Sequence, residues 1–181
     1  MSTALAPRKR GRKWRALAVG LLASIGLCAS PVTASASSSS ISISNDNSHL
    51  CMSVPGDNIF AGQVIFQWTC GLYPDQHWYL EPSQSNPDWF YLQPEQNVYL
   101  CATYVPGSTA QLTLQNCGEY AANGNTSTQL FTFSYGSRNN ALSTVQGWAM
   151  SVPGASTANG AAINIFPYGP YPDQAWFAFN S

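Results

Sequence analysis

Tyr73-Pro74-Asp75-Gln76-His77-Trp78 returns near the C-terminus as Tyr171-Pro172-Asp173-Gln174-Ala175-Trp176. Working outward from this pair, an ungapped shift of 98 residues lays Cys51–Trp78 over Ala149–Trp176 with 13 of 28 positions identical. A weaker copy lies between them. It begins at Cys101 and Pro106-Gly107 and closes at Thr128-Gln129-Leu130-Phe131. Three units at a spacing near 49 residues predict a single repeat architecture rather than three independent domains.

The candidate strands between these landmarks are short and separated by Pro-Gly, Gly and Asn-rich turns, and no segment carries a helical period. The first set is Leu50 to Val54, Val64 to Trp68, His77 to Leu80 and Trp89 to Leu92. The second is Leu100 to Tyr104, Gln111 to Gln115, Leu130 to Phe133 and Leu142 to Val145, with an insertion at Tyr120 to Asn125. The third offers Trp148 to Val152, Ala162 to Phe166 and Trp176 to Phe179, one strand short. A spare strand, Ile41-Ser42-Ile43, is expected to pair with the last one and complete the set. Four strands three times over is the element count of a β-trefoil, an all-β fold whose barrel leaves no open sheet edge. Its units are expected at about residues 41–88, 89–138 and 139–181, with Trp78, Phe131 and Trp176 as core aromatics.

Residues 1–36 read as a secretory signal peptide: a basic stretch from Arg8 to Arg15, an apolar run from Ala16 to Cys28, and Ala34-Ser35-Ala36 as cleavage site. A Ser-rich linker, residues 37–40, leads into the domain at 41–181. The apolar run is shorter than the roughly 18 residues of a membrane span, so a soluble, exported, extracellular protein is expected. Six of the seven basic residues leave with the leader and all eight acidic ones stay, so the mature charge is 1 − 8 = −7 with Arg138 as its cation. Such a chain cannot neutralise phosphates, which argues against nucleic acid and anionic membranes as partners. A composition rich in Ser, Thr, Asn, Gln and aromatics suits neutral polyols instead.

Four cysteines remain after cleavage. The repeat makes Cys51–Cys70 and Cys101–Cys117 the economical pairing among the three possible, each closing a local loop, while the third unit has Ala149 and Tyr168 there. Neither a metal nor another cofactor is expected, since the cysteines form no CxxC and neither histidine has ligand spacing. His49 and His77 are far apart and fit no catalytic pattern, so no enzyme is expected.

Cys-x-x-Val, a Gly-rich turn, an aromatic two residues before the second Cys, and a closing Gln-x-Trp resemble the ricin B-chain type lectins. Gln76-His77-Trp78 and Gln174-Ala175-Trp176 match that closing motif fully, and Gln129-Leu130-Phe131 conservatively. The resemblance covers residues 41–181 and implies one shallow sugar pocket per unit, built from an Asp after the first Cys, a Gln and an aromatic on the second strand, and an Asn-Gln pair. At those positions the first unit has Ser53, Phe66, Trp68, Asp75 and Gln76; the third has Ser151, Asn164, Phe166, Asp173 and Gln174. The second holds Thr103, Thr113, Gln115, Thr128 and Gln129, with no aromatic platform, and is expected to have lost its site.

All three units lack the family aspartate. In the first and third a carboxylate stands instead where the family has Asn, at Asp75 and Asp173, so the charge is expected to have moved across the pocket. The implied ligand is a glycan, and two linked weak pockets favour a polysaccharide. A monomer is the expected state. The competing reading is a trefoil without sugar binding that serves as a secreted protein-binding or inhibitor module, with the Tyr120–Asn125 insertion as its contact loop.

Overall fold

A computed structural model describes residues 39–118, 128–135 and 140–181. The leader, the Tyr120–Asn125 insertion and Arg138 lie outside the described residues. Among the described residues twelve strands follow in order: β1 Ile41–Asn45, β2 Leu50–Ser53, β3 Phe66–Thr69, β4 Trp78–Pro82, β5 Phe90–Pro94, β6 Leu100–Thr103, β7 Thr113–Asn116, β8 Leu130–Tyr135, β9 Asn140–Thr144, β10 Trp148–Ser151, β11 Asn164–Pro167 and β12 Trp176–Asn180. Every expected strand is present. Val64, Gln111 and Ala162, expected to begin the second strand of each hairpin, instead make isolated bridges to the neighbouring unit.

The pairing is that of a β-trefoil. β1, β4, β5, β8, β9 and β12 form the barrel, through pairs β1–β4, β4–β5, β5–β8, β8–β9 and β1–β12. An Ala141–Ala175 bridge closes the remaining side. As expected, the N-terminal strand pairs with the last, Ile41 opposite Asn180 through Asn45 opposite Trp176. The hairpins β2–β3, β6–β7 and β10–β11 cap one end. Their entry strands meet in a closed ring of backbone hydrogen bonds. Ile65 N–H donates to Leu112 C=O at 2.9 Å, Leu112 to Ile163 at 2.8 Å, and Ile163 back to Ile65 at 3.3 Å. All three side chains are buried on the pseudo-threefold axis, so no unit satisfies its own backbone here.

The core repeats with a substitution of volumes. Trp78 and Trp176 are fully buried, and their indole N–H groups donate to Met52 C=O and Met150 C=O at 3.1 and 3.0 Å. The second unit has the smaller Phe131, with no N–H to satisfy. There Tyr104 takes the position of Val54 and Val152 and packs edge-on against Phe131, centroids 5.6 Å apart. A larger partner compensates a smaller aromatic, keeping the interior filled. Disulfides join Cys51 to Cys70 and Cys101 to Cys117, as the repeat implied, and are consistent with an extracellular protein. The third unit buries Ala149 where the others have a cystine.

Candidate functional site

Each Tyr-Pro-Asp-Gln copy is a single 3-10 turn, Pro74–Gln76 and Pro172–Gln174. Proline fixes φ at the turn's start and has no N–H to waste there, so the preceding tyrosine stays extended and points outward. Tyr73 and Tyr171 are about half exposed, Asp75 and Asp173 turn inward and are buried, and the tryptophans beyond enter the core. One short turn therefore supplies a ring face, a carboxylate and a core anchor.

The carboxylates meet the residues that stand at the family's aspartate position. Ser53 Oγ donates to Asp75 Oδ2, and Val54 N–H donates to the same oxygen at 2.9 Å. Ser151 Oγ and Val152 N–H hold Asp173 Oδ2 in the same way, the amide also at 2.9 Å. Each serine is thus the clamp for a carboxylate carried by the 3-10 turn.

Two clefts open over these carboxylates. The first, about 680 Å³, is walled by Phe66, Trp68 and Tyr73, with Ser53, Asp57 and Asp75, and by Gln111 and Gly160 from the other two units. The third unit's cleft, about 610 Å³, has Phe166 and Tyr171 as its rings, with Ser151, Ala155, Asn164 and Asp173, and Thr109 from the second unit. Phe66 and Trp68 pack edge-on with centroids 5.7 Å apart, and Phe166 and Tyr171 at 5.5 Å. Trp68 and Phe166 remain 41% and 37% exposed, which leaves a flat face for a ligand.

Tyr73 and Tyr171 were not among the candidate site residues, although they open the repeated motif. Their rings occupy space that only glycine leaves free: a Cβ on Gly71 or Gly169 would lie 2.6 or 2.5 Å from the tyrosine ring. Across each cleft, the turns Pro55–Asp57 and Pro153–Ala155 pass through left-handed backbone, at φ 63° for Gly56 and 65° for Gly154, favoured by glycine.

Gln76 and Gln174 require a correction, because neither side chain reaches a cleft. Both are fully buried. Gln76 accepts from Gly71 N–H at 3.0 Å and donates to Thr69 C=O at 2.9 Å; Gln174 does the same with Gly169 and Pro167 at 2.9 and 3.0 Å. Gln129 ties Gly118 to Asn116 in the second unit. The motif glutamine closes the loop that carries the glycine, and so seats the tyrosine. In the second unit Thr128 stands at the carboxylate position, and Thr103 takes a hydrogen bond from Gln129 at 2.8 Å.

Asn164 adds an unanswered atom. Its Nδ2 donates to Thr109 C=O at 3.0 Å, which fixes the amide's orientation, and its buried Oδ1 has no partner. A buried acceptor left unpaired costs about 1–3 kcal/mol.

Burial is the largest influence on Asp75 and pushes its carboxyl above the usual 3.8; the Ser53 hydroxyl opposes this, while the Asp57 carboxyl adds to it. A carboxyl raised in the folded state stabilises the fold while protonated, and that contribution is lost as pH climbs through the folded value. Asp75→Asn keeps an acceptor for Val54 without the charge. Its melting temperature is therefore expected to match wild type at about pH 3 and to exceed it increasingly toward about pH 7. A difference independent of pH in thermal scans would show that Asp75 ionises without cost.

The family model described as ricin-type beta-trefoil lectin domain-like matches residues 31–129. No curated protein matches the chain. Among solved structures it resembles the designed threefold-symmetric protein ThreeFoil, at 16% identity and TM-score 0.64, over 78% of this chain and 99% of that one. It also resembles the C-half of an earthworm R-type lectin in complex with GalNAc, at 16% identity and TM-score 0.61, over 79% of this chain and 99% of the lectin's. An exo-beta-1,3-galactanase from Clostridium thermocellum aligns at 18% identity and TM-score 0.66 over 79% of this chain, which spans 30% of the galactanase. At these identities the likeness speaks for the fold.

Proposed function

Because the chain belongs to the ricin-type beta-trefoil lectin domain-like family, we propose that it is a secreted carbohydrate-binding module that holds glycan in the clefts of its first and third units. The observation that carries this reading is the twinned arrangement of a buried carboxylate, pinned by a serine hydroxyl and a valine amide, beside a half-exposed ring. A carboxylate accepts sugar hydroxyls in charge-assisted bonds, and the ring takes the sugar's apolar face. The earthworm lectin of the same fold was solved with GalNAc, a sugar of that chemistry.

The function is binding without catalysis. Glycosidase carboxylates stand at least about 5 Å apart to admit a sugar or water between them. Among the described residues that line the third cleft Asp173 is the one carboxylate, and in the first cleft Asp75 is already held by Ser53 and Val54. Two linked sites favour a polysaccharide over a monosaccharide, since linkage gains roughly 10²–10⁴ in avidity.

The test is retention of the purified protein on a panel of plant, fungal and bacterial polysaccharides, with a Trp68→Ala, Phe166→Ala double variant alongside. Loss of one stacking ring is expected to weaken each cleft by roughly tenfold, and the double variant should elute freely from a polysaccharide that retains the wild type. Equal retention of both proteins would place binding elsewhere on the surface. Failure of the wild type to bind any glycan would turn the search toward protein partners.

A further inference from the structure

The two clefts are related by the repeat, and three of the positions at which they differ point the same way. Asp57 lines the first cleft where Ala155 lines the third; Phe66 replaces Asn164; Trp68 replaces Phe166. Asp57 and Asp75 line the same cleft, and the Asp57 carboxyl adds to the upward push on that of Asp75. Two carboxyl groups that face one cleft favour a positively charged group placed between them. Indole is also the best of the aromatic faces for a cation, and the tyrosine and phenylalanine rings beside it act in the same sense. In the third cleft the corresponding features are neutral. Ala155 brings no charge, and the unpartnered Oδ1 of Asn164 calls for an O–H or N–H donor.

Resting on the glycan-binding reading of both clefts, we propose that the first cleft selects a sugar bearing a free amine, with its ammonium group held between Asp57 and Asp75 against the Trp68 ring, while the third selects a neutral or N-acylated sugar. Asp57 is then a specificity-determining residue. The two clefts together read a polymer that carries both kinds of unit, such as a partly deacetylated amino-sugar chain. No bond is made or broken.

The turn carrying Asp57 provides a conservative variant. Asp57 adopts φ 56° and Ala155 adopts φ 51° at the matching position, so Asp57→Ala reproduces a turn that this chain already folds. The experiment is calorimetric titration of the whole protein, in buffer containing a chelator so that calcium cannot occupy the carboxyl pair. Glucosamine oligosaccharides are compared with their N-acetylated counterparts in a Phe166→Ala background, which weakens the third cleft. The amine form is expected to bind at least about tenfold more tightly, and adding Asp57→Ala should bring that ratio close to one. Equal binding of the two oligosaccharides, or a preference that survives Asp57→Ala, overturns the assignment and leaves the glycan-binding reading standing. Absence of binding to any oligosaccharide by the wild type overturns both.

Discussion

Asp75→Asn combined with Asp173→Asn is expected to abolish retention on polysaccharide while the protein stays folded. Asparagine keeps an oxygen for the amides of Val54 and Val152, which donate to the aspartates at 2.9 Å, so the turn that carries each residue has no reason to move. What is lost is charge. Hydrogen bonds to a charged group are worth about 1.5–3 kcal/mol against about 1 for neutral ones, so each cleft should weaken by roughly tenfold or more. On a polymer that engages both clefts the losses multiply, giving roughly 10²–10³ overall. Surface plasmon resonance against an immobilised polysaccharide would read this, with circular dichroism as the check on folding. An affinity within about threefold of wild type would mean that the carboxylates are turn formers and not ligands.

Trp176→Ala is expected to cost the most stability of any substitution considered. The side chain is fully buried, and its removal leaves both a large cavity and the Met150 carbonyl without its indole donor. Truncations of this kind cost roughly 3–5 kcal/mol, against a total of about 5–15 for a domain. A fall in melting temperature of roughly 10–15 °C should follow. Trp78 sits in a unit stapled by Cys51–Cys70, whereas Trp176 belongs to a unit without a cysteine. Trp176→Phe should lose less, and Val152→Tyr added to it should recover part of the loss by copying the Phe131–Tyr104 pair. A fall below about 5 °C for Trp176→Ala would show that the third unit repacks around the gap.

The fold was legible because its signals are local and repeated. Strand lengths, turn residues, the cystine pairing and the buried Trp78, Phe131 and Trp176 follow from patterns inside one unit. Half of each cleft's lining was legible for the same reason: Ser53, Trp68 and Asp75, or Ser151, Asn164, Phe166 and Asp173, all line their clefts. The other half depends on contacts between units. Gln111, Gly160 and Thr109 enter the clefts only because the cap hairpins meet on the threefold axis, and no spacing within a unit encodes that. Gln76 and Gln174 misled for another reason. An amide beside a carboxylate reads as a second ligand, whereas the turn sends the two side chains in opposite directions, one to the cleft and one to the loop beneath Tyr73 or Tyr171.

The pairing of Ile41 with Asn180 also bears on when the molecule can form. Strand β1 finds its partner across nearly the whole length of the domain, and bringing such distant segments together carries a loop-closure entropy that local hairpins avoid. The hairpins can form early, one after another. The barrel cannot be sealed until Trp176–Asn180 arrives, so a chain delivered N-terminus first, from a ribosome or through a translocation channel, stays open until that strand has emerged. Assembly is then a late event, and a slow one on the scale of the hairpins themselves.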